Sequence, residues 1–268
     1  MTEDCLRSEK RENLRKGVFL LPNLITAAGI FSGFYVIIAT TDGNYERAAW
    51  FILLAAIFDA LDGKVARLTG TSSKFGVELD SLADVISFGV APGVLLYVWA
   101  LRPFGKLGWL AAFLYVICGA LRLARFNVQV STVESRRFVG MPIPAAACIV
   151  ATCVLLFYEL GGTGTIKMIS MVILVFLLAF LLVSNIEYFS LKDPELFKRQ
   201  PFVMLVVAIM LLIVIVAQPQ IMLFLIGMAY LLSGPIAYYL GWRKNRLEKK
   251  KVPEDSENFQ SEIDIESR

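Results

Sequence analysis

Eight apolar stretches, each of about 16–23 residues, constrain this chain more than any other feature of its sequence. They fall at about 18–40, from about 48 into the stretch that begins at Asp59, and at 82–101, 109–125, 141–160, 166–186, 202–217 and 221–239. Most are joined by only a few polar residues. A 268-residue chain that is 57% hydrophobic, with a mean hydropathy of +0.66, has too many such stretches for a soluble core. Within a bilayer each backbone N–H and C=O must find its partner inside its own segment or a closed barrel. Runs of this length reach across a hydrocarbon core of roughly 30 Å only as helices. The expected fold is therefore all-α, a polytopic membrane helix bundle of about eight transmembrane helices.

An even number of spans puts both termini on one side. Of the 26 Lys and Arg residues, only Arg47, Arg102, Lys106 and Lys167 fall in the loops on the other side, so the positive-inside rule makes the termini cytoplasmic. The expected organisation is a cytoplasmic segment at 1–17, a transmembrane domain at 18–241, and a charged cytoplasmic tail at 242–268 that is expected to be disordered. The first apolar run exceeds the 7–15 residues of a signal-peptide core and is read as a retained helix. The protein is expected in the cytoplasmic membrane as a multi-pass protein, with no nucleic-acid partner.

One stretch breaks the apolar pattern. Residues 59–84 read DALDGKVARLTGTSSKFGVELDSLAD and place Asp59, Asp62, Asp80 and Asp84 at or near the ends of two apolar segments. Charge at membrane depth is costly and usually marks a functional site. Asp59 and Asp62 are spaced i, i+3 and Asp80 and Asp84 i, i+4, so each pair shares a helix face. Residues 68–81, with Gly70, Thr71, Ser72, Ser73 and Gly76, suit a turn that brings the pairs together. Four carboxylates so placed suit a hard divalent cation such as Mg²⁺ or Mn²⁺. The chain has no histidine, so a general base must be a carboxylate, Lys, Tyr, Cys or water, and a metal site must use oxygen or thiolate. Cys5, Cys118, Cys148 and Cys153 lack zinc-type spacing and read as buried thiols.

Asp59, Asp62, Gly63, Ala66, Arg67, Gly76, Asp80 and Asp84 match D-x2-D-G-x2-A-R-x8-G-x3-D-x3-D at every fixed position. In this the chain resembles the CDP-alcohol phosphatidyltransferases. The resemblance implies that Asp59, Asp62 and Asp80 hold metal. It implies that Asp84 is the general base, also near a second metal. Gly63 and Ala66 then face the nucleotide, Arg67 lies near the phosphates, and Ser73 is a hydroxyl near the nucleotide. Gly76 joins this CDP-lipid set, and Gly63, Ala66 and Gly76 also suit close helix packing. Pro22 is tolerable in the first turn of a helix. Asn23 and Thr26 can either cap that helix start or put two polar groups on one face. The family's similar Pro-Asn pair favours a place beside the nucleotide. Pro92, inside the third segment, can kink its helix and free backbone groups.

The runs GALRLARFNV and RRFVGMPIPAAA, with LPNLITAAGIFSGF near the N-terminus, are similar to integral-membrane phosphatidylserine synthases. That similarity implies CDP-diacylglycerol as donor, L-serine as acceptor, and a homodimer in the lipid bilayer. Arg122 and Arg125, with Arg136 and Arg137 in the next loop, would meet the acceptor carboxylate or else anchor anionic headgroups. Competing expectations keep the chemistry with glycerol 3-phosphate, inositol phosphate or choline as acceptor, or with an ether-lipid donor. A cation transporter or a non-catalytic scaffold would be a different class. The clustering of all four aspartates at one level argues against a pathway across the membrane.

Overall fold

The computed structural model describes residues 3–70, 74–130, 140–186, 217–239 and 243, and among them the regular structure is helical throughout, with no strand. The helices are α1 (Glu3–Thr41), α2 (Tyr45–Thr69), α3 (Lys74–Asp84), α4 (Ala91–Leu96), α5 (Lys106–Val130), α6 (Ile143–Glu159), α7 (Ile169–Val183) and α8 (Pro219–Tyr239). Two π-helical turns, Val85–Val90 and Tyr97–Leu101, make α3 and α4 parts of one helical run, Phe75–Phe104.

Among the described residues, four helices are long and apolar enough to cross a membrane: Pro22–Thr41, Phe75–Phe104, Lys106–Val128 and Pro219–Tyr239. α2 has the length, 25 residues, but Glu46, Arg47, Asp59, Asp62, Lys64 and Arg67 make it too charged to qualify by composition. α6 and α7 are apolar but shorter, at 17 and 15 residues. The expected seventh segment, at 202–217, lies almost wholly outside the described residues, as do Arg136 and Arg137. A polytopic helical bundle is thus observed, while eight complete spans are not.

Two local expectations need correction. Pro22 is interior to α1, which runs without a break from Glu3, and is not in a first turn. The turn expected over 68–81 is much shorter. α2 continues to Thr69, Gly70 ends it at φ +62 with its N–H on the Ala66 carbonyl, and helix resumes at Lys74. Gly76 is therefore helical. The left-handed conformation at Gly70 favours glycine, and it lets the chain reverse within a few residues.

α1 packs along α2, α2 along α6, and α5 along α7, with the π turn after α3 wedged among α1, α5 and α6. Small buried residues on α1 and α2 (Ala39, Ala48, Ala49, Ala55) permit close approach. At Gly33 a Cβ would sit 2.7 Å from the Ser87 Cα, so only glycine lets α1 meet the π turn. Larger side chains fill the core farther along: Trp99 meets Phe157 edge-on at 5.6 Å, and Tyr35 lies 4.2 Å from Phe51. Phe31, Phe34, Phe113, Phe176 and Phe180 are exposed on the outside of the bundle, as lipid-facing side chains should be.

Pro92 has the effect expected of it. Lacking an N–H, it cannot supply the α-helical bond to the Phe88 carbonyl four residues earlier. The buried Tyr115 hydroxyl on α5 donates to that carbonyl at 2.9 Å. Ser87, one residue earlier, donates to the Gly29 carbonyl on α1 at 3.0 Å. The irregular turn directly after Asp84 is thereby tied to two neighbouring helices.

Candidate active site

The last turns of α2 and all of α3 carry the aspartates, and both helices pack against α1. Carboxylate oxygens of Asp59, Asp62 and Asp80 come within 4.8 Å of one another. Asp84 stands next to them, its carboxyl in hydrogen-bonding contact with that of Asp59. Asp59 and Asp84 can meet in this way only with a proton or a cation between them. All four aspartates line one small enclosure of about 10 Å³, together with Thr26, Ser87 and Phe88. Hard oxygen donors at this separation, around a space of ionic size, fit a divalent cation.

Thr26 has a more specific position than the sequence indicates. Its hydroxyl is 2.8 Å from Asp62 Oδ2 and 3.0 Å from the Pro22 carbonyl, and both Thr26 and Asp62 are buried. One hydroxyl proton faces two acceptors, and the carboxylate is the stronger. Thr26 thus reaches from α1 to orient one of the clustered carboxylates. Removing the hydroxyl while keeping the shape, in Thr26→Val, is expected to raise the metal concentration for half-maximal activity about tenfold. A metal titration of initial rates checks this, and an unchanged midpoint would leave Thr26 without that role.

A cavity of about 190 Å³ opens beside the cluster, lined by Pro22, Asn23, Thr26, Asp62, Gly63, Ala66, Arg67, Gly76, Val77 and Asp80. Six residues singled out from sequence, Asn23, Thr26, Gly63, Ala66, Arg67 and Gly76, are therefore brought together. A Cβ at Gly63 would meet only the Arg67 guanidinium, at 3.6 Å, so that wall is kept open to the cavity. Arg67 is exposed, and its Nε donates to the Gly63 carbonyl at 2.9 Å, which holds the guanidinium along the rim. Ser73 lies outside the described residues.

Arg122 approaches from α5. It is within electrostatic range of Asp84, and among the described residues its buried Nε has no hydrogen-bond partner. Arg125, three residues on, is exposed. Asn127 donates to the Ser81 hydroxyl at 2.9 Å and ties the end of α5 to α3. Cys148 on α6 is partly buried and lies within electrostatic range of Asp59.

Sequence spacing had not singled out Ser87, Tyr115, Asn127 or Cys148. Pro92 was the one usable signal, since it announces an orphaned carbonyl.

The family model for CDP-alcohol phosphatidyltransferase matches residues 19–183. A CDP-diacylglycerol–serine O-phosphatidyltransferase of Helicobacter pylori is 45% identical over 181 residues, covering 66% of this chain and 75% of the relative. One of the same name from Methanocaldococcus jannaschii is 36% identical over 230 residues, covering 85% and 98%. An archaetidylserine synthase of Methanothermobacter thermautotrophicus is 41% identical over 170 residues, covering 63% and 69%. With its aspartates converging beside a cavity and the family model spanning α2, α3 and α5 to α7, this chain belongs to the CDP-alcohol phosphatidyltransferase family.

Proposed function

We propose that this membrane enzyme transfers the phosphatidyl group of CDP-diacylglycerol to the hydroxyl of L-serine, giving phosphatidylserine and CMP. The observation that carries the reaction class is the convergence of Asp59, Asp62 and Asp80 within 4.8 Å at the wall of a cavity with small and polar walls. The names of the relatives support serine as acceptor, and so does the partly buried Arg122 within electrostatic range of Asp84.

In this reading the cytidine diphosphate occupies the cavity. Asn23, Gly63, Ala66 and Gly76 give it close backbone approach, and Arg67 gives the phosphates a guanidinium at the rim. Asp59, Asp62, Asp80 and Asp84 would hold Mg²⁺ or Mn²⁺. A divalent cation bound there supplies neutralisation of charge on the pyrophosphate oxygens. Asp84 takes the proton of the serine hydroxyl. The serine oxygen then forms a bond to the β-phosphorus, the bond to the bridging oxygen breaks, and that oxygen leaves on CMP. Arg122 meets the serine carboxylate through its unpartnered Nε side. Arg125, exposed one turn later, helps draw in the anion. The lipid tails remain in the bilayer throughout.

The reading also keeps the domain at 18–241 between two cytoplasmic ends, 1–17 and 242–268, in the cytoplasmic membrane. The site opens to the cytosol, and the enzyme works as a homodimer. The Methanothermobacter relative specifically favours one variant, the same serine acceptor with an ether-lipid donor.

The test uses purified protein in detergent with CDP-diacylglycerol and Mn²⁺ or Mg²⁺. Labelled serine, glycerol 3-phosphate and inositol phosphate are supplied separately, and lipid label and CMP are measured. Label is expected to enter lipid with serine alone. Entry with another alcohol would replace the acceptor. Turnover only with the ether-lipid donor would replace the donor. No CMP release with any pair would overturn the reading.

A further inference from the structure

The helical run Phe75–Phe104 keeps one side toward the bundle for longer than a regular α-helix can. Asp80, Asp84, Phe88, Pro92, Leu96 and Ala100 recur every four residues along it. The first three line the small enclosure at the aspartates, and the last three are buried. An α-helix turns about 100° per residue, so each step of four overshoots by about 40°, and the steps from Asp80 to Ala100 would add up to about 200°. The two π turns take up that drift. After Val85–Val90 the Ala91 N–H bonds the Ile86 carbonyl, and after Tyr97–Leu101 the Arg102 N–H bonds the Tyr97 carbonyl, each five residues back. A ring one residue wider sets the face back by about 100° at each turn, or about 200° for both. The first π turn therefore sets how Asp80 and Asp84 face relative to the buried side of their own helix.

Two groups keep that turn from winding into α-helix. In an α-helix the Phe88 carbonyl would bond the N–H at position 92, and Pro92 has none. The Tyr115 hydroxyl on α5 donates to that carbonyl instead, at 2.9 Å, with Tyr115 0% and Phe88 1% exposed, so the carbonyl is met by protein and not by solvent. Tyr115 thus acts on the enclosure through Phe88, which lines it beside the four aspartates. Resting on the metal-assisted transfer proposed above, we propose that Pro92 and Tyr115 are positioning residues: they hold the turn after Asp84 in its π register and so keep Asp80 and Asp84 aimed at Asp59 and Asp62. Winding the turn into α-helix would rotate Asp80 and Asp84 by about 100° relative to the buried stretch that follows.

Three full-length variants test this. Pro92→Ala supplies the missing N–H, Tyr115→Phe removes the hydroxyl, and the double variant leaves the Phe88 carbonyl to the helix's own backbone. Each is compared with wild type for metal-free Tm, for the rise in Tm with Mn²⁺, and for the Mn²⁺ midpoint of CMP release. Tyr115→Phe alone is expected to lower the metal-free Tm, because it leaves a buried carbonyl unpartnered. The double variant is expected to regain that Tm, yet to need about tenfold more Mn²⁺ than wild type both for its Tm rise and for half-maximal rate. Pro92→Ala alone removes no hydrogen bond, and it should show the same loss of Mn²⁺ affinity without a fall in metal-free Tm. It carries the test should the Tyr115 variants fail to accumulate. A packing role predicts that function follows stability, so wild-type Mn²⁺ dependence in Pro92→Ala or in the double variant overturns the proposal. The Tm rise needs no substrate: a wild type that Mn²⁺ stabilises but that releases no CMP overturns the reaction proposed above, and the Tm rises of the variants still decide the role of Pro92 and Tyr115.

Discussion

Asp84→Asn is expected to lower kcat at least about a thousandfold while CDP-diacylglycerol still binds. The substitution keeps the side chain's size and removes its capacity to take a proton. The chain has no histidine, and among the described residues the other acidic groups at the site are the clustered Asp59, Asp62 and Asp80. The position should tolerate the change. An amide at 84 can still donate to the Asp59 carboxylate, where the two carboxyl groups now share a contact. The backbone there is held independently, by Ser87 on the Gly29 carbonyl and Tyr115 on the Phe88 carbonyl. In the proposed reading the donor occupies the larger cavity, which Asp84 does not line. CMP release with serine measures the loss, and donor-induced thermal stabilisation measures what is retained. Near-normal turnover would remove Asp84 from the base role, whereas loss of both readouts would make it a residue of the binding site.

The aspartate cluster was legible in the sequence because its rules are local. An i, i+3 pair and an i, i+4 pair each fix a face, and a glycine-containing link between them forces the two helices together. The cavity lining was legible for a related reason. Asn23 and Thr26 share one face of α1, and Gly63, Ala66 and Arg67 share one face of α2, so docking these two helices assembles most of the wall. Small errors came from reading composition as conformation. Gly76 and its polar neighbours suit a turn, but α2 ends at Thr69 with Gly70 left-handed, and α3 already begins at Lys74. Thr26 was legible as a polar group at the site. That it bonds Asp62, thirty-six positions away, depends on how α1 and α2 pack. The eight expected spans are matched only in part among the described residues: α2 carries too much charge to qualify by composition, and 202–217 lies almost wholly outside them.

Asp80→Asn is expected to separate the two roles of the cluster, because it should raise the stability of the metal-free protein while ending activity. Asp59, Asp62 and Asp80 hold carboxylate oxygens within 4.8 Å of one another, so removing a bound cation would leave their charges uncompensated. Like charges about 4 Å apart repel by about 4 kcal/mol at an effective dielectric of 20, and burial of Asp62 limits relief by solvent. Neutralising one member removes two of the three repulsions in the trio, so the Tm of chelator-treated protein should rise by a few degrees. The wild type should respond differently to metal. Mn²⁺ or Mg²⁺ at a hundredfold excess over its Kd stabilises the folded state by about 2.7 kcal/mol, visible as a rise in Tm that Asp80→Asn largely loses. Activity should follow the metal and not the stability: chelation abolishes CMP release in the wild type, either cation restores it, and the variant stays inactive although its metal-free form is the more stable one. Full activity after thorough chelation would show that the carboxylates work without a cation. A metal-free variant less stable than the metal-free wild type would show that Asp80 holds the fold through contacts other than those with Asp59 and Asp62. The sign of that single Tm difference distinguishes a site that the chain maintains at a cost to its own stability from one that merely contributes to packing.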